Sequence, residues 1–136
     1  MTQKGYLVGV VAVIQRDDGK VAMGLRVVEN VWAGFGGKLE AGETPEAGLR
    51  REVLEEAGVE LGPLAPLGFR TGAKADGTPF VMLYFLGQPQ PRQEVRILEP
   101  LVFGELRWFD LDALPGNLWP RERDILSLVP RSRHAS

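Results

Sequence analysis

The chain has 136 residues, of which 44% are hydrophobic and 25% charged, and its formal net charge is −2. This length and composition predict one globular domain, residues 1–136, and disfavour a second domain or a disordered chain. The small negative charge disfavours a surface for duplex nucleic acid, and the absence of cysteine excludes disulfides, zinc–thiolate sites and thiol nucleophiles.

Signals for membrane insertion and export are weak in this sequence. The longest apolar run, Tyr6–Ile14, is too short to cross a bilayer and predicts a buried strand. No charged segment with a small-residue cleavage site follows Met1. We therefore expect a cytoplasmic protein without a membrane partner.

The first half of the chain predicts two strands, a loop and a helix. The strands are Tyr6–Ile14 and Val21–Leu25, joined through an Asp-Gly turn within residues 16–20. Residues 34–37, Gly-Phe-Gly-Gly, predict a flexible loop whose backbone approaches a ligand closely. The helix follows this loop.

The second half of the chain predicts further strands and a closing helix. The tail is expected to be frayed. The expected elements are strands Leu64–Arg70 and Phe80–Leu86, a connection at residues 87–91, a short strand Leu106–Phe109, a helical turn Asp110–Leu114, a helix Arg121–Val129 and the tail Pro130–Ser136.

The central helix has clear end signals and one apolar stripe. Thr44 supplies a capping hydroxyl directly before a proline, and Gly58 suits the left-handed conformation that ends many helices. Leu49, Val53 and Ala57 stand at i, i+4 and i+8, so this stripe is expected to pack against the core.

Three glutamates of the same helix predict a cluster of negative charge. Glu52, Glu55 and Glu56 stand at i, i+3 and i+4 and are expected to project from one face, where like charges repel. A solvated acidic surface is the alternative interpretation. However, seven of the 18 acidic residues lie between Glu40 and Glu60, and such hard oxygen ligands suit Mg²⁺ or Mn²⁺.

Residues 37–59 complete the pattern G-x5-E-x7-R-E-U-x-E-E-x-G-U, in which U is aliphatic. This pattern resembles the sequence box of the Nudix hydrolase family. The resemblance implies an α/β (α+β) fold, in which a mixed β-sheet is sandwiched between α-helices. It also implies a metal-dependent enzyme, with Mg²⁺ or alternatively Mn²⁺, that cleaves a nucleoside diphosphate linked to another group X by attack of water on phosphorus.

The resemblance also implies roles for residues within the box. Glu52, Glu55, Glu56 and the Gly37 carbonyl are the implied metal ligands. We favour Glu55 as the base that takes the proton of the attacking water, and Glu56 as the nearer metal ligand, although carboxylates that share metals titrate as a group. Arg51 is expected to hold a glutamate in place.

Two further glutamates are assigned with alternatives. Glu43 is expected to brace the junction between the loop and the helix, either structurally or through a metal-bound water. Glu99 is the candidate for an additional metal ligand, because Glu99-Pro100 precedes the strand Leu106–Phe109. An exposed loop glutamate is the alternative interpretation of Glu99.

Two segments outside the box resemble oxidised-purine nucleoside triphosphatases of the MutT type. They are Trp32–Lys38 and Trp108–Pro115, the latter followed by Leu118-Trp119-Pro120. The resemblance suggests that Trp119 stacks on a base, although a structural tryptophan is the alternative. The candidate substrate contacts are Arg26, Ala33, Phe35, Gly36, Lys38, Trp119 and Glu122.

Two departures from those enzymes leave the base open. Ala33 and Arg121 stand where the vertebrate enzymes have residues that hydrogen-bond the base. We expect a small-molecule nucleoside triphosphate, oxidised or not, as the substrate, and a monophosphate and pyrophosphate as products. ADP-ribose or a dinucleoside polyphosphate is an alternative substrate, and a catalytically silent nucleotide-sensing module is the non-enzymatic alternative. The oligomeric state is expected to be a monomer or homodimer.

Overall fold

A computed structural model describes residues 5–131 of the chain. Its strands form one seven-stranded sheet with the order β3-β2-β1-β6-β5, while β4 pairs with β1 and β7 pairs with β2. The elements are β1 (Leu7–Gln15), β2 (Val21–Arg26), β3 (Trp32–Ala33), β4 (Phe35–Lys38), α1 (Pro45–Ala57), β5 (Ala65–Ala73), β6 (Pro79–Gly87), β7 (Phe103–Phe109) and α2 (Pro120–Leu126).

The sheet is mixed, and its central strand β1 separates two hydrophobic cores. β1 runs parallel to β6 and antiparallel to β2 and β4. Val10 and Ala12 belong to one core, which includes the apolar stripe of α1. Val11 and Val13 belong to the other core, which includes Ile125 of α2. Because alternate strand residues face opposite sides, the two helices lie on opposite faces, and the predicted sandwich is confirmed.

The central helix begins and ends as the sequence predicts. The Thr44 hydroxyl accepts a hydrogen bond from the Ala47 N–H (3.2 Å), and Gly58 takes a left-handed conformation with a φ of 69°. Leu49, Val53 and Ala57 are fully buried. The helix is therefore held at its start by a cap and along its length by burial of one stripe.

Residues 34–37 are not a flexible loop, because most of them form strand β4. Gly36 pairs with Val11 and Gly37 pairs with Val10. A Cβ at Gly36 would overlap the backbone carbonyl of Val10. Glycine is therefore needed here for the close approach of two strands rather than for flexibility.

The C-terminal third also differs from the prediction in its boundaries. β7 begins at Phe103 and pairs along β2, so it is longer than expected. Residues 110–113 form an isolated turn in place of the predicted helical turn. The Asp110 side chain accepts a hydrogen bond from the Asp112 N–H, and the Asp110 carbonyl accepts one from the Ala113 N–H (both 2.9 Å). α2 begins at Pro120, one residue before the predicted start, and ends at Leu126, before the predicted end at Val129.

The predicted tail is anchored where it is described. The Pro130 carbonyl accepts a hydrogen bond from Gln15 Nε2 (2.6 Å), and Arg131 pairs with Asp112. Residues 132–136 lie outside the described part of the chain. Between residues 5 and 131, no helix is long and apolar enough to cross a membrane.

Candidate active site

Arg51 of α1 forms the centre of a charged network at the start of the box. Its Nε and Nη2 donate to the two carboxylate oxygens of Glu43 at 2.7 and 3.0 Å. The Arg51 guanidinium and the Glu40 N–H, which also donates to Glu43, lower the pKa of Glu43 to about 2. This paired geometry fixes both residues, in agreement with the bracing role expected of Glu43.

The third nitrogen of the Arg51 guanidinium, Nη1, contacts two of the helix glutamates. Nη1 donates to Glu52 Oε1 at 2.9 Å and lies 3.5 Å from Glu55 Oε1. Glu52 is mostly covered, whereas the Glu55 side chain is 55% exposed. Arg51 therefore contacts both carboxylates.

Glu56 does not share the exposed face that the spacing predicted. It is only 6% exposed, and its Oε1 accepts the Gly36 N–H at 2.8 Å. Burial, reinforced by repulsion from Glu52 and Glu99, raises the pKa of Glu56 to about 8, although the Gly36 hydrogen bond opposes this rise. The three glutamates therefore stand at different depths, and Glu56 is directed at strand β4.

Glu99 lies in the loop between β6 and β7, which passes the C-terminal end of α1. The Leu98 N–H donates to the Glu56 carbonyl at 3.0 Å, which holds this loop against the helix. Burial raises the pKa of Glu52, and the negative charge of Glu99 raises the pKa values of both Glu52 and Glu56 further. Glu99 is therefore close to the box glutamates in space, 43 residues after Glu56 in sequence.

The carboxylate oxygens at this site are suitable ligands for a hard divalent cation. A Cβ at Gly37 would lie 2.5 Å from the Glu52 carboxylate, so glycine preserves a space between β4 and α1. Mutual repulsion among Glu52, Glu56 and Glu99 would be relieved by a cation. Within residues 5–131 no three acidic or histidine side chains are already gathered as a metal site. A cation would therefore compete with Arg51 for Glu52, and with the Gly36 N–H for Glu56.

A cleft of about 810 Å³ opens beside the glycines of β4. Its floor comes from the parallel strands β1 and β6, and its far wall comes from the start of α2. The lining residues are Leu7, Val8, Gly9, Val11, Arg26, Glu29, Ala33, Gly34, Gly36, Gly37, Lys38, Lys74, Ala75, Phe80, Met82, Trp119, Arg121 and Glu122.

Six of the seven candidate substrate contacts line this cleft, and Phe35 does not. Phe35 is fully buried, and its ring packs 5.0 Å from the Phe103 ring in the core beneath α1. The alternation of β4 explains the difference, because Gly36 faces the cleft while its neighbour faces the opposite side. The interpretation of Phe35 as a substrate contact is corrected accordingly.

Trp119 is held at the cleft by backbone pairing with β3. The Trp32 N–H donates to the Asn117 carbonyl at 3.0 Å, and Trp32 forms a bridge with Leu118. Trp119 and Ala33 both line the cleft. Trp32 is 7% exposed and meets the Phe109 ring edge-on at 4.9 Å, so its role is structural.

Cationic side chains line the cleft on several sides. Arg26 pairs with Glu29 at 3.0 Å, and this pairing lowers the pKa of Glu29. Lys38 and Lys74 are exposed at the cleft. These positive charges are suited to the phosphate groups of an anionic ligand.

Glu122 is a buried acid at the far wall. It is 5% exposed, and burial raises its pKa to about 7, while the positive charges of Arg121 and Arg26 oppose the rise. Its carboxyl therefore carries a proton for part of the time near neutral pH.

The sequence did not predict the floor of the cleft. It predicted strands for the segments that form this floor, but no contact with a ligand for Val8 and Gly9 of β1 or for Phe80 and Met82 of β6. A Cβ at Gly9 would lie 2.6 Å from the Met82 sulfur. Glycine within an apolar strand was the one available signal, since it marks a close approach. The partner strand was not predictable from the local pattern.

The site consists of a glutamate-bearing helix packed on a glycine strand beside a cation-lined cleft, which suits an anionic ligand. The NUDIX domain model matches residues 5–129. The chain belongs to the Nudix family and is a Nudix pyrophosphohydrolase. Nudix hydrolases generally use divalent metal ions and act on small nucleotide substrates.

Similar proteins carry related names. The oxidized purine nucleoside triphosphate hydrolase of Mus musculus is 35% identical over 99 residues, and the match covers 65% of this chain and 56% of that protein. The Danio rerio protein of the same name is 32% identical over 126 residues, and the match covers 83% of this chain and 72% of that protein. The crystal structure of a MutT NUDIX hydrolase from Burkholderia pseudomallei matches 93% of this chain and 100% of its own, with a TM-score of 0.84 and 31% identity.

Proposed function

We propose that this enzyme hydrolyses a nucleoside triphosphate to a nucleoside monophosphate and pyrophosphate. The observation that carries the proposal is the cleft, which joins Gly36 and Gly37, next to the helix glutamates, to an aromatic wall at Trp119. A nucleotide has the same polarity, with a phosphate chain at one end and an apolar base at the other. Relatives named for nucleoside triphosphate hydrolysis add support.

The residues of the chain divide the work between binding and proton transfer. Lys38 and Arg26 are placed to attract the phosphate chain. Glu55 is the most exposed of the three helix glutamates, and we assign it the proton of the attacking water. Arg51 restrains Glu52 and Glu55 so that their carboxylates are oriented before the substrate arrives.

Mg²⁺, or alternatively Mn²⁺, is the proposed cofactor. The ligands that we propose are Glu52, Glu55, Glu56, Glu99 and the Gly37 carbonyl. When bound, such an ion neutralises phosphate charge and lowers the pKa of a coordinated water.

The base preference does not follow from the relatives. Ala33 lines the cleft with a methyl group, which cannot donate or accept a hydrogen bond. Trp119 supplies aromatic surface, which accommodates every base because each has a π-face. The far wall therefore decides the base.

The test is an assay of purified protein with Mg²⁺ on a panel of normal and oxidised nucleoside triphosphates, ADP-ribose and dinucleoside polyphosphates. We expect monophosphate and pyrophosphate from a triphosphate, and loss of turnover when the metal is chelated. Glu55→Gln should lower kcat by about 10²-fold or more, whereas the control Glu60→Gln, at an exposed position after α1, should not. Paired monophosphates from ADP-ribose alone would refute the triphosphatase proposal, and the absence of any turnover would favour a silent nucleotide-sensing module.

A further inference from the structure

The Arg121 guanidinium lies near two aromatic rings that line the cleft. Its Cζ is 4.1 Å from the centre of the Trp119 ring and 5.2 Å from the centre of the Phe80 ring. Both rings line the cleft. A guanidinium held over aromatic faces is attracted by their electron density, so Arg121 has a defined position and is not a freely moving surface side chain.

One donor of Arg121 is not satisfied by the protein. Its Nε is buried and has no hydrogen-bond partner within residues 5–131, while the guanidinium interacts with the buried Tyr84 hydroxyl and opposes the burial-driven rise of the Tyr84 pKa. No carboxylate in the described part of the chain forms an ion pair with the Arg121 guanidinium, since the neighbouring Glu122 acts on it only through its charge. Because Arg121 lines the cleft without a carboxylate partner, a ligand that supplies hydrogen-bond acceptors to the guanidinium would be stabilised there.

Arg121 also restricts how a base enters. Arg26 lies 5.7 Å from the centre of the Trp119 ring, so two guanidinium groups are close to that ring. A base that reaches the far wall must therefore meet at least one arginine, and arginine donates hydrogen bonds but accepts none.

We propose that Arg121 is a specificity-determining residue that selects a 6-oxopurine with an unprotonated N7, such as guanine. The O6 and N7 atoms of guanine form a pair of acceptors that fits the arginine fork. Adenine presents an amino donor in place of O6. Guanine oxidised at C8 carries a hydrogen on N7, so one acceptor of the pair becomes a donor that faces the guanidinium.

This inference rests on the proposed triphosphatase function and sharpens it. It also separates this chain from relatives named for oxidised purines. Arg121 favours guanine that is not oxidised at C8, because oxidation there places a hydrogen on N7 and so removes the acceptor for the second N–H of the fork.

The test compares kcat/KM for dGTP, 7-deaza-dGTP, 8-oxo-dGTP and dATP with Mg²⁺. In 7-deaza-dGTP a carbon replaces N7, so one acceptor is lost while the shape of the base is kept. We expect the wild-type enzyme to favour dGTP over each of the others by about 10-fold or more.

Two variants and one control assign the preference to Arg121. Arg121→Met replaces the guanidinium by a long apolar side chain without hydrogen-bond donors. It should reduce the preference for dGTP over 7-deaza-dGTP to about 2-fold or less. Arg121→Lys keeps the charge without the fork, and it should lose most of that preference while remaining folded by circular dichroism. Arg123→Met, at an exposed residue of α2 that bonds the Pro115 carbonyl outside the cleft lining, should leave the preference unchanged.

The outcomes are distinct. Turnover of triphosphates with equal or better use of 8-oxo-dGTP would overturn the assignment of Arg121 but leave the proposed function standing. A preference that persists in both Arg121 variants would overturn it as well. Failure of wild-type enzyme to hydrolyse any triphosphate would refute the proposed function and this inference together.

Discussion

Replacement of Glu122 by glutamine should stabilise the protein in a pH-dependent way. Glu122 is 5% exposed, and burial outweighs the attraction of Arg121 and Arg26, so its pKa rises from an ordinary 4.5 to about 7. Glutamine has nearly the same shape but stays neutral at every pH. The variant therefore removes the unfavourable ionisation of a buried acid while it preserves the packing.

The sign and size of the effect follow from the two pKa values. Below pH 4.5 the carboxyl is protonated in both the folded and the unfolded chain, so ionisation contributes nothing to the difference. Between 4.5 and about 7 the unfolded chain loses this proton while the folded protein retains it, so wild-type stability falls as pH rises. One pKa unit corresponds to about 1.4 kcal/mol, which gives a total of about 3 kcal/mol. The advantage of Glu122→Gln should grow by about this amount across the window and stay constant above it.

Urea unfolding in metal-free buffer, from about pH 4 to about pH 9, measures this difference. Other carboxyls titrate equally in both proteins, so their effects cancel. Glu60→Gln, at an exposed position, is the matched control and should show no comparable slope against wild type. A stability difference between Glu122→Gln and wild type that stays flat from acid to alkaline pH would show that the folded carboxyl ionises normally, and the account of the far wall would fail.

Four further substitutions test the other parts of the site and the core. Arg51→Lys keeps one charge but loses the paired hydrogen bonds, so kcat should fall by on the order of 10²-fold with little change in thermal unfolding. Gly37→Ala places a Cβ 2.5 Å from the Glu52 carboxylate, so calorimetric Mg²⁺ affinity should decrease together with kcat. Leu49→Ala should lower the free energy of unfolding by about 2–5 kcal/mol in urea titrations, because the side chain is fully buried. Trp119→Ala should raise KM more than it lowers kcat, and an unchanged KM would remove this ring from the base site.

The central helix was predictable because its determinants are local. The capping hydroxyl of Thr44, the left-handed Gly58 and the apolar stripe all lie within one short segment, and each acts over one or two helical turns. The same locality explains why the box pattern identified the family. Its residues from Arg51 to Ala57 lie within α1, where helical periodicity fixes their relative positions.

Helical periodicity did not reveal the depth at which each glutamate lies. Glu55 and Glu56 are neighbours in sequence, yet one is largely exposed and the other is buried against strand β4. The difference comes from Gly36, whose N–H meets Glu56 only after β4 has paired with β1. The glycine-rich stretch looked like a loop because glycine is common in loops. Here its missing side chain allows two strands to come close together, a requirement that exists only in the assembled sheet.

The far wall of the cleft also escaped local reasoning. In the sequence, Arg121 was a departure from similar enzymes that left the identity of the base open. Its importance comes from Phe80, which stands on β6, and from Trp119, which is anchored to β3 through Leu118. These contacts join segments far apart in sequence, and no pattern within one segment encodes them.

The cleft is built from two structurally separate walls, and this separation has a consequence for function. The near wall is formed by the glycines of β4, which lie beside the glutamates of α1, and the core beneath α1 lies on one face of the sheet. The far wall belongs to the start of α2, whose buried residues pack into the core on the opposite face. A substitution at Arg121 therefore leaves the contacts of Arg51 with the box glutamates intact, since the two residues share no packing partner among the contacts described above. Hydrolysis is therefore expected to depend on the box residues that family members share. The preferred base has to be inferred separately for each chain, from the side chains of its far wall.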